Sequence, residues 1–163
     1  MKNAVRQLLL SKRVLPPPTV IMTSNTAPAP FIVSASSEYP GYEAWQAYDG
    51  SGIDGGGTGI WASNGVSLPV SITIDYGSTY IISKVAITGR STTNVGQSPN
   101  TFDLQSSSDG IAFTTFASYT GQTWTASEMK TFTFLPITAR YLRINILAVN
   151  GSTFAAITLI NWK

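Results

Sequence analysis

The chain contains neither cysteine nor histidine. Without cysteine there are no disulfide bonds, no thiol nucleophile and no thiolate-ligated zinc or iron–sulfur cluster. Without histidine there is no Ser-His-Asp triad, no histidine-ligated metal and no general base of the usual kind near neutral pH. Of the eight carboxylates, Asp75 and Asp109 belong to structural motifs, and no convincing acid pair for glycoside hydrolysis remains. The sequence therefore predicts a protein that is not an enzyme.

Charge is also scarce. Charged residues make up 11% of the 163 residues, against about 25% in an average soluble protein, which argues against a disordered, charge-rich chain. No apolar run approaches the roughly 20 residues that a membrane helix needs, so no membrane span is predicted. Residues 1–30 carry four basic and no acidic side chains, whereas residues 31–163 carry six basic and eight acidic ones. The later part is thus net acidic, and no nucleic-acid partner is predicted.

The first 30 residues are predicted to be an N-terminal anchoring arm. Met1–Leu15 could form one short basic helix, although its length is near the limit of about 12–15 residues for a helix that is stable alone in water. Pro16-Pro17-Pro18 would end this helix and impose a stiff, extended segment. The small polar residues and prolines of Thr19–Pro30 indicate a linker.

Three interpretations of this arm compete. A secretory signal is disfavoured because the apolar core Leu8–Leu10 is short and is followed by Ser11-Lys12-Arg13. A tail without a role is the second interpretation. The third, which we favour, is a docking peptide that becomes ordered against a larger protein assembly, because apolar and basic side chains without acids suit a groove or an acidic surface. The candidate docking residues are Lys2, Arg6, Leu8, Leu9, Lys12 and Arg13.

Residues 31–163 show the pattern of an all-β domain. Short runs in which apolar and polar residues alternate are separated by glycine, asparagine, serine and proline. Tyr42–Tyr48 could form one helical turn, and Ser108-Asp109-Gly110 and Asn150-Gly151 are candidate turns. The spacing predicts a β-sandwich or a partly closed barrel. The predicted strands include Val70–Ile74, Ile82–Ile87, Thr101–Gln105, Thr131–Phe134, Tyr141–Ile146 and Ile157–Trp162.

Several short motifs occur along the chain in an order that is typical of one domain family. They are Ala44–Gly50 (A-W-Q-A-Y-D-G), Trp61-Ala62-Ser63, Ile72–Gly77 (I-T-I-D-Y-G), Ile87–Arg90, Ser106–Gly110 (S-S-S-D-G) and Ala139–Ile144 (A-R-Y-L-R-I). Together they resemble the discoidin domain, also called the coagulation-factor C-type domain, which has the galactose-binding-like fold. The resemblance implies an eight-stranded jelly-roll β-sandwich over residues 31–163, with binding loops at one end. It also implies a non-catalytic binding module, most often for glycans and sometimes for lipid head groups or proteins.

Five residues are candidates for a glycan site. Sugar binding combines a flat aromatic face for the apolar side of the ring with polar side chains for its hydroxyl groups. Tyr39-Pro40-Gly41-Tyr42 puts two aromatic residues in a loop, Arg90 begins the polar loop Ser91–Asn100, and Trp124 lies between Thr123 and Thr125 in a polar stretch. In glycan-binding members of the resembled family, these loops converge at one end. The alternative is that some of the aromatic residues pack on the sandwich. The candidates are Trp124, Arg90, Asn94, Tyr42 and Tyr39.

Many members of the resembled family hold a structural Ca²⁺ ion near the position of Asp49, completed by a glutamate near the C-terminus. Here Ile157–Trp162 contains no acid, and Gly59 stands where a threonine is usual. Asp49 and Asp54, together with backbone carbonyls, could still form a weaker Ca²⁺ site, but a purely structural role for Asp49 is the preferred interpretation. No cofactor is required. Arg140 is expected to pair with a carboxylate such as Asp75.

We expect a structural or binding module of a larger assembly. A short chain that joins an arm to one discoidin-like domain resembles an accessory protein of a bacteriophage particle, in which residues 1–30 dock on tail, baseplate or capsid and the sandwich presents a glycan site to the host surface. This step is analogy, and it places the protein in the virion. The alternatives are a decoration or bracket protein without a glycan role, and a secreted bacterial carbohydrate-binding module. Homo-oligomerisation is compatible with the low charge, although no residue pattern indicates it.

Overall fold

The computed structural model describes residues 14–55, 59–65 and 67–163, and within them it contains eight β-strands and two short 3₁₀ helices. The 3₁₀ helices span Ala44–Tyr48 and Thr92–Gln97. The strands are β1 (Ile32–Ala35), β2 (Trp61–Ala62), β3 (Val70–Thr88), β4 (Pro99–Ser107), β5 (Thr114–Tyr119), β6 (Met129–Val149), β7 (Ala156–Ile157) and β8 (Leu159–Trp162).

Two long strands, β3 and β6, contribute to both layers of the sandwich. The first half of β3 pairs with β1 and with the second half of β6, and β4 and β5 extend this layer. The second half of β3 pairs with β8 and with the first half of β6. A register shift between Asp75 and Tyr80 marks the corner where β3 leaves one layer for the other. β2 and β7 form a separate small antiparallel pair.

The core lies between these layers and follows the alternation in the sequence. In β3, Ile72 and Ile74 are fully buried on one layer, and Ile82 and Ile87 are fully buried on the other. Phe102 of β4 meets Phe132 of β6 across the core, with ring centroids 5.1 Å apart. Each such side chain contributes roughly 1.5–3 kcal/mol by leaving water. The all-β sandwich predicted from the sequence is confirmed, and the predicted helical turn is the first 3₁₀ helix.

The sandwich has two distinguishable ends. At one, which we call the pocket end, β3 finishes at Thr88 and β4 begins at Pro99. At the other, the far end, lie the Asp75–Tyr80 corner and the last residue of β4, Ser107. Since a strand rises about 3.3 Å per residue, the length of β4 separates the two ends by roughly 25 Å.

The segment upstream of residue 31 lies on the sandwich. The Ile81 amide donates to the carbonyl of Leu15 at 3.0 Å, which places Leu15 at the far end. Met22 is 1% exposed, belongs to the core, and donates its amide to Tyr48. The side chain of Asn25 accepts a hydrogen bond from the Trp45 amide at 2.9 Å. Residues expected to form a linker are therefore packed, because an apolar residue among them finds a place in the core.

Residues 1–13, which include the candidate docking residues Lys2, Arg6, Leu8, Leu9, Lys12 and Arg13, lie outside the described part of the chain. The 3₁₀ helices that the structure describes are far shorter than a bilayer-crossing segment, and no described helix could span a membrane.

Candidate functional site

A pocket of about 250 Å³ opens at the pocket end. Three segments distant in sequence supply most of it: the turn at Tyr39–Tyr42, the stretch from Arg90 through the second 3₁₀ helix, and the loop before β7. Four of the five predicted glycan-binding residues meet here. The lining residues are Tyr39, Tyr42, Ala62, Arg90, Asn94, Gln97 and Phe154.

Aromatic rings form one wall of the pocket. Tyr39 and Tyr42 flank a tight turn in which the Tyr42 amide donates to the Tyr39 carbonyl at 2.9 Å and Gly41 adopts a positive φ of 86°. Glycine takes this conformation without the steric cost that a Cβ would bring. The Tyr39 ring lies edge-on to Tyr42 at 5.7 Å and to Phe154 at 6.0 Å between centroids. The result is an aromatic surface that remains partly open, since Tyr39 is 42% exposed.

Arg90 lines the pocket, and three hydrogen bonds to two neighbours, Asp54 and Gln97, hold its side chain. Its Nε donates to Asp54 Oδ2 at 2.8 Å, its Nη2 donates to Asp54 Oδ1 at 3.2 Å, and its Nη1 donates to Gln97 Oε1. A guanidinium has five N–H groups, so Nη1 and Nη2 each keep one that no described side chain accepts. Arg90 itself is 5% exposed. The pocket thus presents a fixed, charged hydrogen-bond donor.

Asp54 holds Arg90 in place. Its side chain is 5% exposed, and Oδ2 also accepts the Ser91 amide at 2.7 Å. Burial raises the pKa of Asp54, but the hydrogen bonds from Arg90 and Ser91 outweigh burial and keep the pKa below the usual value of an aspartate. Asp54 is therefore ionised near neutral pH, and the ion pair is intact.

Amide side chains complete the polar wall. Asn94 and Gln97 belong to the second 3₁₀ helix, which begins after Ser91, and the Asn94 amide donates to the Ser91 carbonyl at 3.0 Å. Gln97 accepts from Arg90 through Oε1, which leaves its NH₂ group to donate elsewhere. Within the described residues, the side chain of Asn94 has no hydrogen-bond partner. Donors and acceptors are thus available opposite the aromatic wall.

Trp124 does not lie in this pocket. Its Nε1 donates to the Pro99 carbonyl at 2.7 Å, the residue is 9% exposed, and its ring packs 6.4 Å from that of Phe132. The polar neighbours Thr123 and Thr125 made it look like an exposed loop residue. Because the indole N–H finds a backbone acceptor, the ring can be buried beneath the pocket end. The structure accordingly matches the alternative in which Trp124 packs on the sandwich.

Sequence reasoning also missed part of the pocket. Phe154 was not singled out, although it is an aromatic residue in the short loop between β6 and β7, which is the same signal that identified Tyr42. Gln97 lies in a segment that was recognised as polar, but its contact with Arg90 depends on the path of the 3₁₀ helix. Ala62 carries no chemical signal, and it lines the pocket because the β2–β7 pair places it there.

The two candidate calcium ligands have other partners. Asp49 Oδ1 accepts the Ser51 amide at 2.8 Å, and Asp54 is bonded to Arg90. Apolar side chains approach this loop, since a Cβ on Gly50 would lie 3.2 Å from Ile21 and a Cβ on Gly52 would lie 3.7 Å from Leu159. Among the described residues, no group of three or more His, Cys, Asp or Glu side chains surrounds a metal position. Ca²⁺ takes six to eight oxygen ligands, so a site at this loop would depend on backbone carbonyls, and it stays a prediction.

Comparison with known proteins agrees with this geometry. A model of the F5/8 type C domain matches residues 32–160. A module from Clostridium perfringens in complex with GalNAc-β-1,3-galactose is 25% identical, with a TM-score of 0.69 over 81% of this chain and 94% of that one. The family 32 carbohydrate-binding module of NanJ from C. perfringens, in complex with galactose, is 28% identical, with a TM-score of 0.66 over 81% and 92%.

A chitosan-binding module from Paenibacillus sp. IK-5 is 25% identical, with a TM-score of 0.63 over 80% of this chain and 92% of that one. No curated protein matches the sequence. The matched family and the similar structures are non-catalytic binding modules, and residues 32–160 form a domain of this non-catalytic kind. The family model covers most of the chain, and the chain belongs to the F5/8 type C domain family.

Proposed function

We propose that the protein is a carbohydrate-binding module and that the pocket lined by Tyr39, Arg90 and Asn94 holds one sugar unit. The single observation that carries this proposal is the meeting of an aromatic wall with Arg90 and two amide side chains in one small pocket. Two of the similar modules were solved with galactose-containing sugars bound, which supports the same ligand class here.

The pocket suits a sugar for physical reasons. A pyranose ring has one face rich in C–H groups, which packs on the aromatic side chains Tyr39, Tyr42 and Phe154. Its hydroxyl groups can accept from Arg90 and can exchange hydrogen bonds with Asn94 and Gln97. The volume of about 250 Å³ is below the roughly 300–1,000 Å³ of pockets for drug-sized ligands, so a single unit fits. Such a contact is weak alone and gains strength from multivalent display.

A glycan array with the full chain, displayed multivalently, tests this proposal. The array should include galactose, GalNAc-β-1,3-galactose and chitotriose. We expect selective binding that is lost in Asn94→Ala and retained in Asn145→Ala, because Asn145 lies in the middle of β6 and does not line the pocket. If the folded chain binds no sugar on the array, the proposal is wrong, and the decoration or bracket role becomes the better hypothesis.

We also propose that the protein is an accessory component of a bacteriophage particle, anchored by residues 1–30. The arm composition and the analogy described above support this role. The position of Leu15 is compatible with it, since the chain enters the sandwich at the far end, roughly 25 Å from the sugar pocket. A partner that holds residues 1–13 would leave the pocket accessible.

Deleting residues 1–13 tests the anchoring role. The deletion removes none of the described residues, so the sandwich should keep its melting temperature while incorporation into the particle is lost. Leu8→Ser/Leu9→Ser and Lys12→Ala/Arg13→Ala variants separate apolar from basic docking contacts. Full incorporation of the deletion variant would contradict anchoring by this segment.

A further inference from the structure

A second depression, of about 240 Å³, adjoins the sugar pocket and shares a wall with it. Asn94 and Gln97 line both spaces. The second depression is otherwise bounded by Thr93 and Gly96 on the 3₁₀ helix and by the loop after β6. Its lining contains no aromatic residue, in contrast to the first. The residues that line it are Thr93, Asn94, Gly96, Gln97, Gly151 and Ser152.

The loop after β6 is fixed in place beside the 3₁₀ helix. Asn150 Nδ2 donates to the Ser98 carbonyl at 3.1 Å, and Asn150 Oδ1 accepts from Asn100 at 3.0 Å. A Cβ on Gly96 would lie 3.0 Å from the Asn150 carbonyl oxygen, so the helix and the loop approach closely there. The helix and the loop that bound the depression are therefore held against each other.

The same loop connects the two spaces. Ser152 lines the second depression, and its Oγ accepts the amide of Phe154 at 3.0 Å. Phe154 in turn supplies one ring of the aromatic wall in the first pocket. Asn94 and Gln97 border both spaces, and the NH₂ group of Gln97 stays available because only its Oε1 is bonded to Arg90. A sugar chain seated in the first pocket therefore has the second depression next to it.

We propose that the site binds an oligosaccharide of at least two units, with the second unit in the depression lined by Thr93, Gly96, Gly151 and Ser152. This inference rests on the proposed function, because it requires a sugar in the first pocket. The first unit stacks on aromatic rings, whereas the second is held by hydrogen bonds to hydroxyl, amide and backbone groups. We expect the second position to accept a wider range of sugars than the first, because the described residues that line it include no aromatic ring to pack on one face of the sugar.

Calorimetric titration of the full chain with two pairs of sugars tests the inference. The first pair is galactose and GalNAc-β-1,3-galactose, and the second is glucosamine and chitotriose. In whichever pair binds, we expect the longer sugar to bind about tenfold more tightly than the monosaccharide, which corresponds to about 1.4 kcal/mol. Thr93→Trp, which fills the second depression, should abolish this advantage, so that the two members of the pair bind with equal affinity. Thr92→Trp is the matched control, because Thr92 is exposed on the same helix and lines neither space.

The outcomes separate the two proposals. If none of the four probes binds the folded chain, the proposed function is wrong and this inference falls with it. If a monosaccharide binds as tightly as its longer partner, or if Thr93→Trp leaves the advantage intact, the second unit does not lie here. NMR spectra provide a measurement without substitution. The longer sugar, but not the monosaccharide, should shift the backbone amide signals of Gly96 and Gly151. If these signals do not shift, the inference is overturned.

Discussion

At the pocket end Arg90 donates two hydrogen bonds to Asp54, and at the far end Arg140 does the same to Asp75, with distances of 2.7 and 2.8 Å. Each carboxylate also accepts one backbone amide, from Ser91 in the first case and from Gly77 in the second, both at 2.7 Å. The chemistry of the two ion pairs is thus nearly the same, and their surroundings differ.

Burial distinguishes the pairs. The side chains of Arg90 and Asp54 are 6% and 5% exposed, whereas that of Arg140 is 40% exposed and lies over the ring of Tyr141. A buried pair leaves an uncompensated charge when one partner is lost, but an exposed cation is solvated by water. The far-end pair ties the corner of β3 to β6. The pocket-end pair instead fixes a hydrogen-bond donor, Arg90, in the pocket that we propose for a sugar.

The largest difference should follow from removing each carboxylate. Asp54→Ala leaves the guanidinium of Arg90 buried without its counter-charge, so we expect a loss of about 3–5 kcal/mol in the free energy of unfolding. Asp75→Ala leaves Arg140 in contact with water and deprives the Gly77 amide of its acceptor, for a loss of about 1–3 kcal/mol. Urea denaturation of both variants measures this. Equal losses would show that burial does not distinguish the two pairs.

Replacing each aspartate by asparagine should change sugar affinity less than the alanine variants change stability, and only the replacement at the pocket end should change that affinity. Asp54→Asn keeps the shape of the side chain but weakens the orientation of Arg90, and we expect galactose binding to fall about tenfold, as for the loss of one charge-assisted hydrogen bond. Asp75→Asn is the matched control and should bind as the unmodified chain does. Calorimetric titration checks both. A loss of affinity in Asp75→Asn would mean that the far end influences the pocket.

Acid should weaken both pairs. Burial raises the pKa of Asp75 as it does that of Asp54, but hydrogen bonds from Arg140 and Gly77 keep it below the usual value. Because the folded-state pKa is depressed, the stabilisation is complete above the unfolded-state pKa of about 3.9 and is lost as the pH falls through the folded-state pKa. Asp54→Asn and Asp75→Asn should each reduce the decline of the urea midpoint as the pH falls below the unfolded-state pKa of about 3.9. An unchanged decline in both variants would contradict this linkage.

The two ion pairs also differ in how well the sequence predicted them. Arg140 was expected to pair with a carboxylate such as Asp75, and it does. Both residues lie in strand motifs, where alternation limits the positions that a side chain can take. Asp54 and Arg90 were assigned separately, to a metal and to a ligand, and their pairing was missed. Asp54 lies in a glycine-rich loop, and no periodicity indicates where such a loop places a side chain.

Local polarity was a weaker guide than periodicity for the site. It identified Tyr39, Tyr42, Arg90 and Asn94, all of which line the pocket. It also selected Trp124, whose burial depends on a carbonyl acceptor 25 residues away that no local pattern reveals. The strands that follow from alternation were therefore predictable, whereas contacts between loops depend on tertiary packing.

The smallest effect we expect is that of Arg140→Lys. An ammonium group cannot reproduce the two parallel hydrogen bonds of the guanidinium to Asp75, but it keeps the charge and reaches water at this exposed position. The free energy of unfolding should fall by about 0.5–1 kcal/mol, within the range of exposed ion pairs. Arg90→Lys is the counterpart at the pocket end and should cost more, because a buried ammonium cannot serve Asp54 and Gln97 in the same fixed geometry. Thermal and urea unfolding of the two variants measure this difference in stability. If the two lysine variants are equally stable, the paired N–H groups of the Arg90 guanidinium are not what holds the pocket together.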